Sequence, residues 1–78
     1  MKNVIVWSKS ACQYCEMSKS MLQSKGIEFE EKKIGYNGIS RDDLLKVLPS
    51  ARSVPQIFID GTHIGGFQEL KTYLENSI

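Results

Sequence analysis

The two cysteines of this chain, Cys12 and Cys15, constrain its fold more than any other feature of the sequence. Small secreted domains commonly use disulfides as structural cross-links. Cysteines three residues apart close a loop that is too short to restrain the unfolded chain, and a closed zinc site requires four ligands. The pair is therefore local, and it calls for a chemical explanation. A length of 78 residues predicts a single domain over residues 1–78.

Composition excludes several functional classes. The chain is 41% hydrophobic and 24% charged, values that are typical of a globular domain. A net charge of +1 argues against a nucleic-acid-binding protein, which needs a basic stripe. No apolar run approaches the roughly 18 residues of a membrane span. Only four apolar residues, Val4–Trp7, follow the N-terminus, so we expect neither a secretory signal nor a location outside the cytoplasm.

The first third of the chain predicts a strand followed by a helix. Val4–Trp7 is a short, continuously apolar run that is typical of a buried strand. Ser10, with Gln13 three residues later, predicts a helix N-cap and capping box, and Gly26 suits the end of that helix. The apolar residues expected on its buried face are Tyr14, Met17, Met21 and Leu22.

The middle of the chain predicts a polar strand and a second helix. Glu28–Ile34 carries enough charge to lie at a sheet edge, where charged side chains discourage association. Ser40 and Asp43 resemble a capping box, and Leu44, Val47 and Leu48 follow at helical spacing. Pro49 ends this helix.

The last third predicts a hairpin and a third helix. Asp60-Gly61 is a two-residue turn signal between a strand at 57–59 and a short strand at 62–64. Gly65-Gly66 breaks the second of these strands, and the following residues are apolar at helical spacing. The order β-α-β-α-β-β-α predicts an α/β fold of thioredoxin-like type, with a mixed four-stranded sheet flanked by three helices.

The position of the cysteine pair gives its two members unequal chemistry. Cys12 and Cys15 lie where a strand gives way to a helix, and residues three apart can be bridged by a disulfide. The first turn of a helix has unpaired N–H groups and partial positive charge, to which Lys9 adds. We therefore expect a lowered pKa for the Cys12 thiol, which makes Cys12 the nucleophile and Cys15 the resolving thiol.

Alternative roles for the pair stay open at this point. Both cysteines could be small buried hydrophobic residues. His63 is the only histidine, and a solvent-facing strand position explains it better than zinc ligation. An iron–sulfur cluster shared between two chains is a further alternative.

Three segments together resemble the dithiol glutaredoxins, and the resemblance extends over essentially the whole chain. They are Ala-Cys-Gln-Tyr-Cys at 11–15, Ser-Val-Pro-Gln-Ile-Phe-Ile at 53–59 and His-Ile-Gly-Gly-Phe at 63–67. The small bacterial and phage-type members are the most similar in pattern. The resemblance implies a glutaredoxin domain that catalyses glutathione-dependent thiol–disulfide exchange.

The resemblance also implies a glutathione site. Lys9 would meet the glycyl carboxylate, Tyr14 would border the site, and the Val54 backbone would pair with the cysteinyl unit, with Pro55 in the cis form. The residues that it assigns to glutathione are Lys9, Tyr14, Ser53, Val54, Pro55, Gly66, Phe67 and Gln68.

Three positions depart from the family pattern. Gln13 stands where proline is commonest, and Ser53 stands where many members have threonine. Gln68 stands where the family usually has Ser, Thr or Asp to bind the γ-glutamyl amine, and it brings no charge. Glu69 is the alternative residue for that amine.

The resemblance finally implies the partners. Glutathione acts as co-substrate, with no permanently bound cofactor and no metal, and ribonucleotide reductase is a typical client. We expect a cytoplasmic monomer that reduces protein disulfides and glutathione mixed disulfides. The alternatives are a redoxin reduced by thioredoxin reductase and a carrier of an iron–sulfur cluster ligated by glutathione.

Overall fold

Four strands and three helices follow one another in the predicted order. The structure is a computed structural model that describes residues 3–76, so the predicted domain limits at 1 and 78 lie outside the described residues. Its elements are β1 (Val4–Ser8), α1 (Gln13–Ser24), β2 (Glu30–Lys33), α2 (Arg41–Val47), β3 (Gln56–Ile59), β4 (Thr62–Gly65) and α3 (Phe67–Glu75).

The sheet is mixed, as predicted. Its strand order is β2-β1-β3-β4, with β1 and β2 parallel and the other two pairs antiparallel. The charged strand β2 lies at one edge. Asp60 and Gly61 have φ values of 53° and 81° and form the tight turn between β3 and β4, which confirms the hairpin.

The main core lies on one face of this sheet. Alternate residues of β1 and β3 point into it, and α1 and α3 cover it. Its buried members are Val4, Val6, Leu22, Ile57, Ile59, Leu70 and Leu74. Trp7 is also buried, as expected of a packing residue. The core fixes the ends of β1 and β3, from which the candidate site is built.

Helix α1 begins later than predicted. Its N-cap is Cys12 and not Ser10, and its first residue is Gln13. The residue between them, Ala11, has a φ of +56°, which turns the chain before the helix can start. The Ser10 hydroxyl is instead hydrogen-bonded to the Tyr36 hydroxyl at 2.8 Å.

The buried face of α1 agrees with the prediction in part, since Leu22 is buried and Met21 packs against the core. Tyr14 and Met17 are 57% and 38% exposed. The inner face of α1, which packs against β1 and α3, is formed by Cys15, Ser18 and Leu22, at positions i, i+3 and i+7. The buried Ser18 hydroxyl is satisfied by donating to the carbonyl of residue 14 at 2.8 Å. This inner face places the Cys15 side chain in the core.

The second helix confirms its predicted cap. The Asp43 N–H donates to the Ser40 hydroxyl, and the Ser40 N–H donates to an Asp43 carboxylate oxygen. This backbone hydrogen bond lowers the pKa of Asp43. Val47, expected on the apolar face, is 55% exposed, because the seven-residue helix ends there and Leu44 is its buried residue.

One charged residue of the edge strand is not simply solvated. Glu31 accepts hydrogen bonds from the fully buried Ser8 hydroxyl and, at 2.8 Å, from Lys19 of α1. Lys19 also pairs with Glu16 at 2.8 Å. This network joins β1, β2 and α1.

Candidate active site

The cysteine pair is bridged, and its two members are unequally accessible. Cys12 and Cys15 form a disulfide, with their Cα atoms 5.2 Å apart. Cys15 is completely buried against the core, whereas Cys12 is partly exposed. A molecule in solution can therefore reach the Cys12 sulfur but not that of Cys15.

Backbone geometry at the helix start favours negative charge on Cys12. The N–H of Cys15 donates to the Cys12 sulfur at 3.2 Å. In the reduced protein, this N–H and the partial positive charge of the α1 N-terminus stabilise a thiolate, so we expect the pKa of Cys12 below the ordinary cysteine range. Glu16 in the first turn opposes this effect, but its carboxylate is paired with Lys19.

The segment before β3 lies against the reactive sulfur. The Val54–Pro55 peptide bond is cis, as the family resemblance implies and as the local sequence alone does not. The Val54 carbonyl oxygen lies 3.7 Å from the Cys12 sulfur, and Pro55 is buried. A backbone edge is thus available beside the accessible sulfur of the pair.

A groove of about 450 Å³ runs from this segment to the start of α3. It brings together seven of the eight residues assigned to glutathione, all except Lys9. Its lining residues are Tyr14, Ser53, Val54, Pro55, Gln56, Gly65, Gly66, Phe67, Gln68 and Glu69. The rings of Tyr14 and Phe67 meet at one wall, with their centroids 5.8 Å apart.

Lys9 lines a separate cavity of about 200 Å³ on the other side of Val54. Ser53 and Val54 belong to both spaces, so a ligand that lies along Val54 reaches both. Arg41 and Arg52 add two further positive charges to this cavity. Neither arginine could be predicted from the sequence, because no motif links them to the cysteine pair and only the fold brings them to Val54.

The two glycines before α3 allow a close approach by Glu69. Gly65 has a φ of +130°, and a Cβ atom added there would lie 2.6 Å from Glu69 Cγ. The Gly66 N–H donates to Glu69 Oε1 at 2.8 Å, which caps the helix. Glu69 and Gln68 are both exposed and both line the groove, and Glu69 in addition caps the helix.

His63 lies on the outside of the sheet, as predicted. It is exposed, its ring packs on that of Phe58, and its Nε2 is 2.7 Å from the Gln56 side-chain oxygen. Within residues 3–76, no group of three or more His, Cys, Asp or Glu residues is placed to hold a metal ion. No helix in the same range is long and apolar enough to cross a membrane.

Comparison with known proteins gives one consistent result. The family model described as Glutaredoxin matches residues 4–64. Glutaredoxin 3 of Escherichia coli (strain K12) is 43% identical over 70 residues, which are 90% of this chain and 83% of that protein. The probable glutaredoxin of Synechocystis sp. is 35% identical over 65 residues, which cover 83% of this chain and 74% of that protein.

Solved structures show the same similarity. Glutaredoxin 1 from Francisella tularensis, complexed with cacodylate, superposes with a TM-score of 0.80 at 30% identity, covering 96% of this chain and 94% of that one. A buckwheat glutaredoxin–glutathione complex superposes with a TM-score of 0.80 at 26% identity, covering 96% of this chain and 70% of that one.

Proposed function

The chain belongs to the glutaredoxin family, and from this premise we propose a glutathione-dependent reductase of protein disulfides and glutathione mixed disulfides, with Cys12 as nucleophile. Glutaredoxins are thiol–disulfide oxidoreductases. One observation carries the assignment of roles: the Cys12 sulfur is accessible and accepts an N–H bond at the helix start, while Cys15 is buried directly behind it.

The oxidative half of the reaction uses both cysteines. The Cys12 thiolate attacks one sulfur of a substrate disulfide, forms a mixed disulfide and expels the other sulfur as a thiolate, which takes up a proton. Cys15 then loses its proton and attacks the Cys12 sulfur. The bond between Cys12 and the substrate breaks, the substrate leaves as a thiol, and the Cys12–Cys15 disulfide remains. This product is the state that the structure describes.

Two glutathione molecules complete the cycle. The first attacks the accessible Cys12 sulfur, which releases Cys15 as a thiol and leaves glutathione bound to Cys12 through a disulfide. The second attacks the sulfur of the bound glutathione, so that oxidised glutathione leaves and Cys12 is again a thiolate. The protein gains two electrons and returns to the dithiol state. Glutathione is a co-substrate in this scheme and no cofactor is retained.

The two adjoining cavities support a binding mode for glutathione. Its cysteinyl unit pairs with the Val54 backbone, its glycyl carboxylate meets Lys9, and its γ-glutamyl end lies at Gly66 and Phe67. The charges fit. The glycyl carboxylate then lies among Lys9, Arg41 and Arg52, and the γ-glutamyl carboxylate lies at the α3 N-terminus. The remaining residues assigned to this site are Tyr14, Ser53, Pro55 and Gln68.

The proposal extends to the protein substrates, the cellular location and the oligomeric state. We propose protein disulfides such as that of ribonucleotide reductase as substrates and the cytoplasm as location, since a reducing compartment keeps the pair available as a dithiol. We also propose a monomer, because both cysteines and the groove belong to one chain.

A coupled assay tests this function. Oxidised protein is incubated with glutathione, glutathione reductase and NADPH, and in parallel with thioredoxin reductase and NADPH. We expect NADPH consumption that depends on glutathione and disappears in Cys12→Ser. Gln68, which stands where the family usually has Ser, Thr or Asp for the γ-glutamyl amine, favours thioredoxin reductase as the second candidate reductant. Reduction in that reaction alone would overturn the glutathione assignment.

A further inference from the structure

A chain of two side-chain hydrogen bonds crosses the outer face of the sheet and ends at the candidate site. His63 Nε2 is 2.7 Å from Gln56 Oε1, and Gln56 Nε2 donates to the Ser53 carbonyl at 2.9 Å. Ser53 immediately precedes Val54. An imidazole on β4 is thus connected to the peptide that leads into the groove.

Strand register places these side chains together. In β3, Gln56 is opposite Trp7 of β1, and Phe58, two residues later on the same face, is opposite His63 of β4. A register shift at Ile57/Phe58 adds a residue to β4 at this point. The His63 ring also packs on Phe58, with ring centroids 5.1 Å apart, so two contacts orient it.

The chemistry of the two groups allows only one arrangement of the Gln56 amide. A carbonyl can only accept, so the NH₂ group of Gln56 must face Ser53 and its oxygen must face His63. His63 Nε2 must then carry a proton in order to donate. The amide is satisfied on both sides, and reversing it would place two acceptor oxygens face to face at Ser53.

The Ser53 carbonyl has little other support from the sheet. Within residues 3–76, the backbone–backbone hydrogen bonds outside the helices and strands include none made by Arg52, Ser53 or Val54. Arg52 and Ser53 are exposed, and β3 begins only at Gln56. The hydrogen bond from the Gln56 amide therefore connects the Ser53 peptide to the sheet, and we call this bond the tie.

We propose that Gln56 and His63 are positioning residues for the glutathione-binding segment. They hold the Ser53 carbonyl and so keep the Val54 backbone in the orientation that pairs with the cysteinyl unit. The inference rests on the proposed function for its consequence in catalysis. Without the tie, binding must order Val54 at an entropic cost, which raises KM, while the Cys12 chemistry and kcat are unchanged.

Matched variants separate the two hydrogen bonds. Gln56→Met keeps the length of the side chain and removes both bonds. Gln56→Glu still accepts from His63 but turns an acceptor towards the Ser53 carbonyl. His63→Phe keeps the packing on Phe58 and leaves Gln56 without its donor. Thr62→Ala is the control, because Thr62 is exposed and lies next to His63 in β4.

Two readouts distinguish the inference from the proposed function. The first is the ¹⁵N order parameter of the Val54 amide in oxidised protein without glutathione. The second is KM and kcat for a glutathionylated peptide. We expect Gln56→Met to lower the order parameter and raise KM roughly two- to tenfold at unchanged kcat. We expect larger changes of the order parameter and of KM in Gln56→Glu, smaller changes in His63→Phe, and no change of either in Thr62→Ala.

Each result has one meaning. An unchanged Val54 order parameter in Gln56→Met overturns the positioning role, as does a loss of kcat at constant KM. An equal rise of KM in Thr62→Ala also overturns it, because the effect is then one of strand stability. A wild-type protein that is inactive with glutathione overturns the proposed function, while the order parameter still decides the positioning role.

Discussion

The backbone N–H of Cys15 points at the sulfur of Cys12 across 3.2 Å, so Cys15 acts on the charge of its partner sulfur. Cys15 provides an amide that stabilises charge on Cys12, and its own thiol is kept in the core, where burial disfavours ionisation. In the proposed cycle, Cys15 thus acts through its backbone before the first exchange step and through its side chain in the second.

The first prediction concerns the pKa of Cys12. The helix-start N–H and the α1 dipole favour the thiolate, so the rate of Cys12 alkylation in Cys15→Ser should rise with pH to an inflection below the ordinary value of about 8.5. Iodoacetamide labelling followed by mass spectrometry gives this profile. An inflection at the free-cysteine value would contradict thiolate stabilisation.

The second prediction separates the two cysteines. Cys12→Ser should abolish reduction of every disulfide, since it removes the only accessible sulfur of the pair. Cys15→Ser should retain much of its activity on glutathione mixed disulfides, which need only Cys12, and lose activity on protein disulfides. Both substrates are followed by NADPH consumption. Equal losses on the two substrates in Cys15→Ser would refute the division of roles.

The third prediction concerns the charge at the α3 N-terminus. Glu69→Gln keeps an oxygen for the Gly66 N–H but removes the negative charge. If this carboxylate meets the γ-glutamyl amine, KM for a glutathionylated peptide rises roughly three- to tenfold, while the midpoint of urea unfolding changes little. Gln68→Ala is the comparison. A larger rise of KM in Gln68→Ala would assign the amine to Gln68.

The fourth prediction uses two glycines with left-handed backbone. Gly61 has open space around its Cα, so Gly61→Ala should cost only its conformational strain, about 1 kcal/mol. Gly65→Ala adds a Cβ 2.6 Å from Glu69 Cγ, and should cost more and also disturb the α3 cap. Urea unfolding measures both. Equal losses of stability would show that Glu69 moves away without cost.

The fifth prediction concerns the edge strand. Burial alone raises the pKa of Glu31, but hydrogen bonds from Lys19 and Ser8 outweigh it, and the pKa is lowered. The resulting stabilisation is present above the unfolded-state pKa of about 4.3 and is lost as pH falls through the folded-state value. Glu31→Gln should therefore cost about 1–2 kcal/mol at pH 7 and much less near pH 3.

The neighbouring Glu30 provides the control for this experiment, because it is exposed on the same strand. Glu30→Gln should stay within about 0.5 kcal/mol of the wild type at both pH values. Urea unfolding at pH 7 and pH 3 measures each free energy. A loss in Glu31→Gln that is the same at both pH values would show that packing, and not charge, is responsible.

The order of elements and the sheet could be predicted because each depends on short-range signals. A β-branched run, a capping box at Ser40 and the Asp60-Gly61 turn act within a few residues. The helix start at Cys12 could not be predicted, since it depends on the positive φ of Ala11. The inner face of α1, with Cys15 and Ser18 in place of Tyr14 and Met17, depends in turn on how the helix packs against β1 and α3.

The candidate site was predictable where its residues form a motif and not where they meet only in the fold. The groove lining follows the three segments of the family resemblance closely. Arg41 and Arg52 come to the Lys9 cavity from α2 and its following loop, and the pairing of Gln56 with His63 depends on strand register. Neither relation leaves a periodic or spacing signal in the sequence.

The burial of Cys15 has a kinetic consequence. Every external partner must exchange through the Cys12 sulfur, and one sulfur can form only one disulfide at a time. Under the proposed function, an oxidised client and glutathione therefore compete for the Cys12 sulfur and cannot both be disulfide-linked to the protein at once. We therefore expect substituted-enzyme kinetics, in which the protein reacts with the two substrates in turn and never holds both.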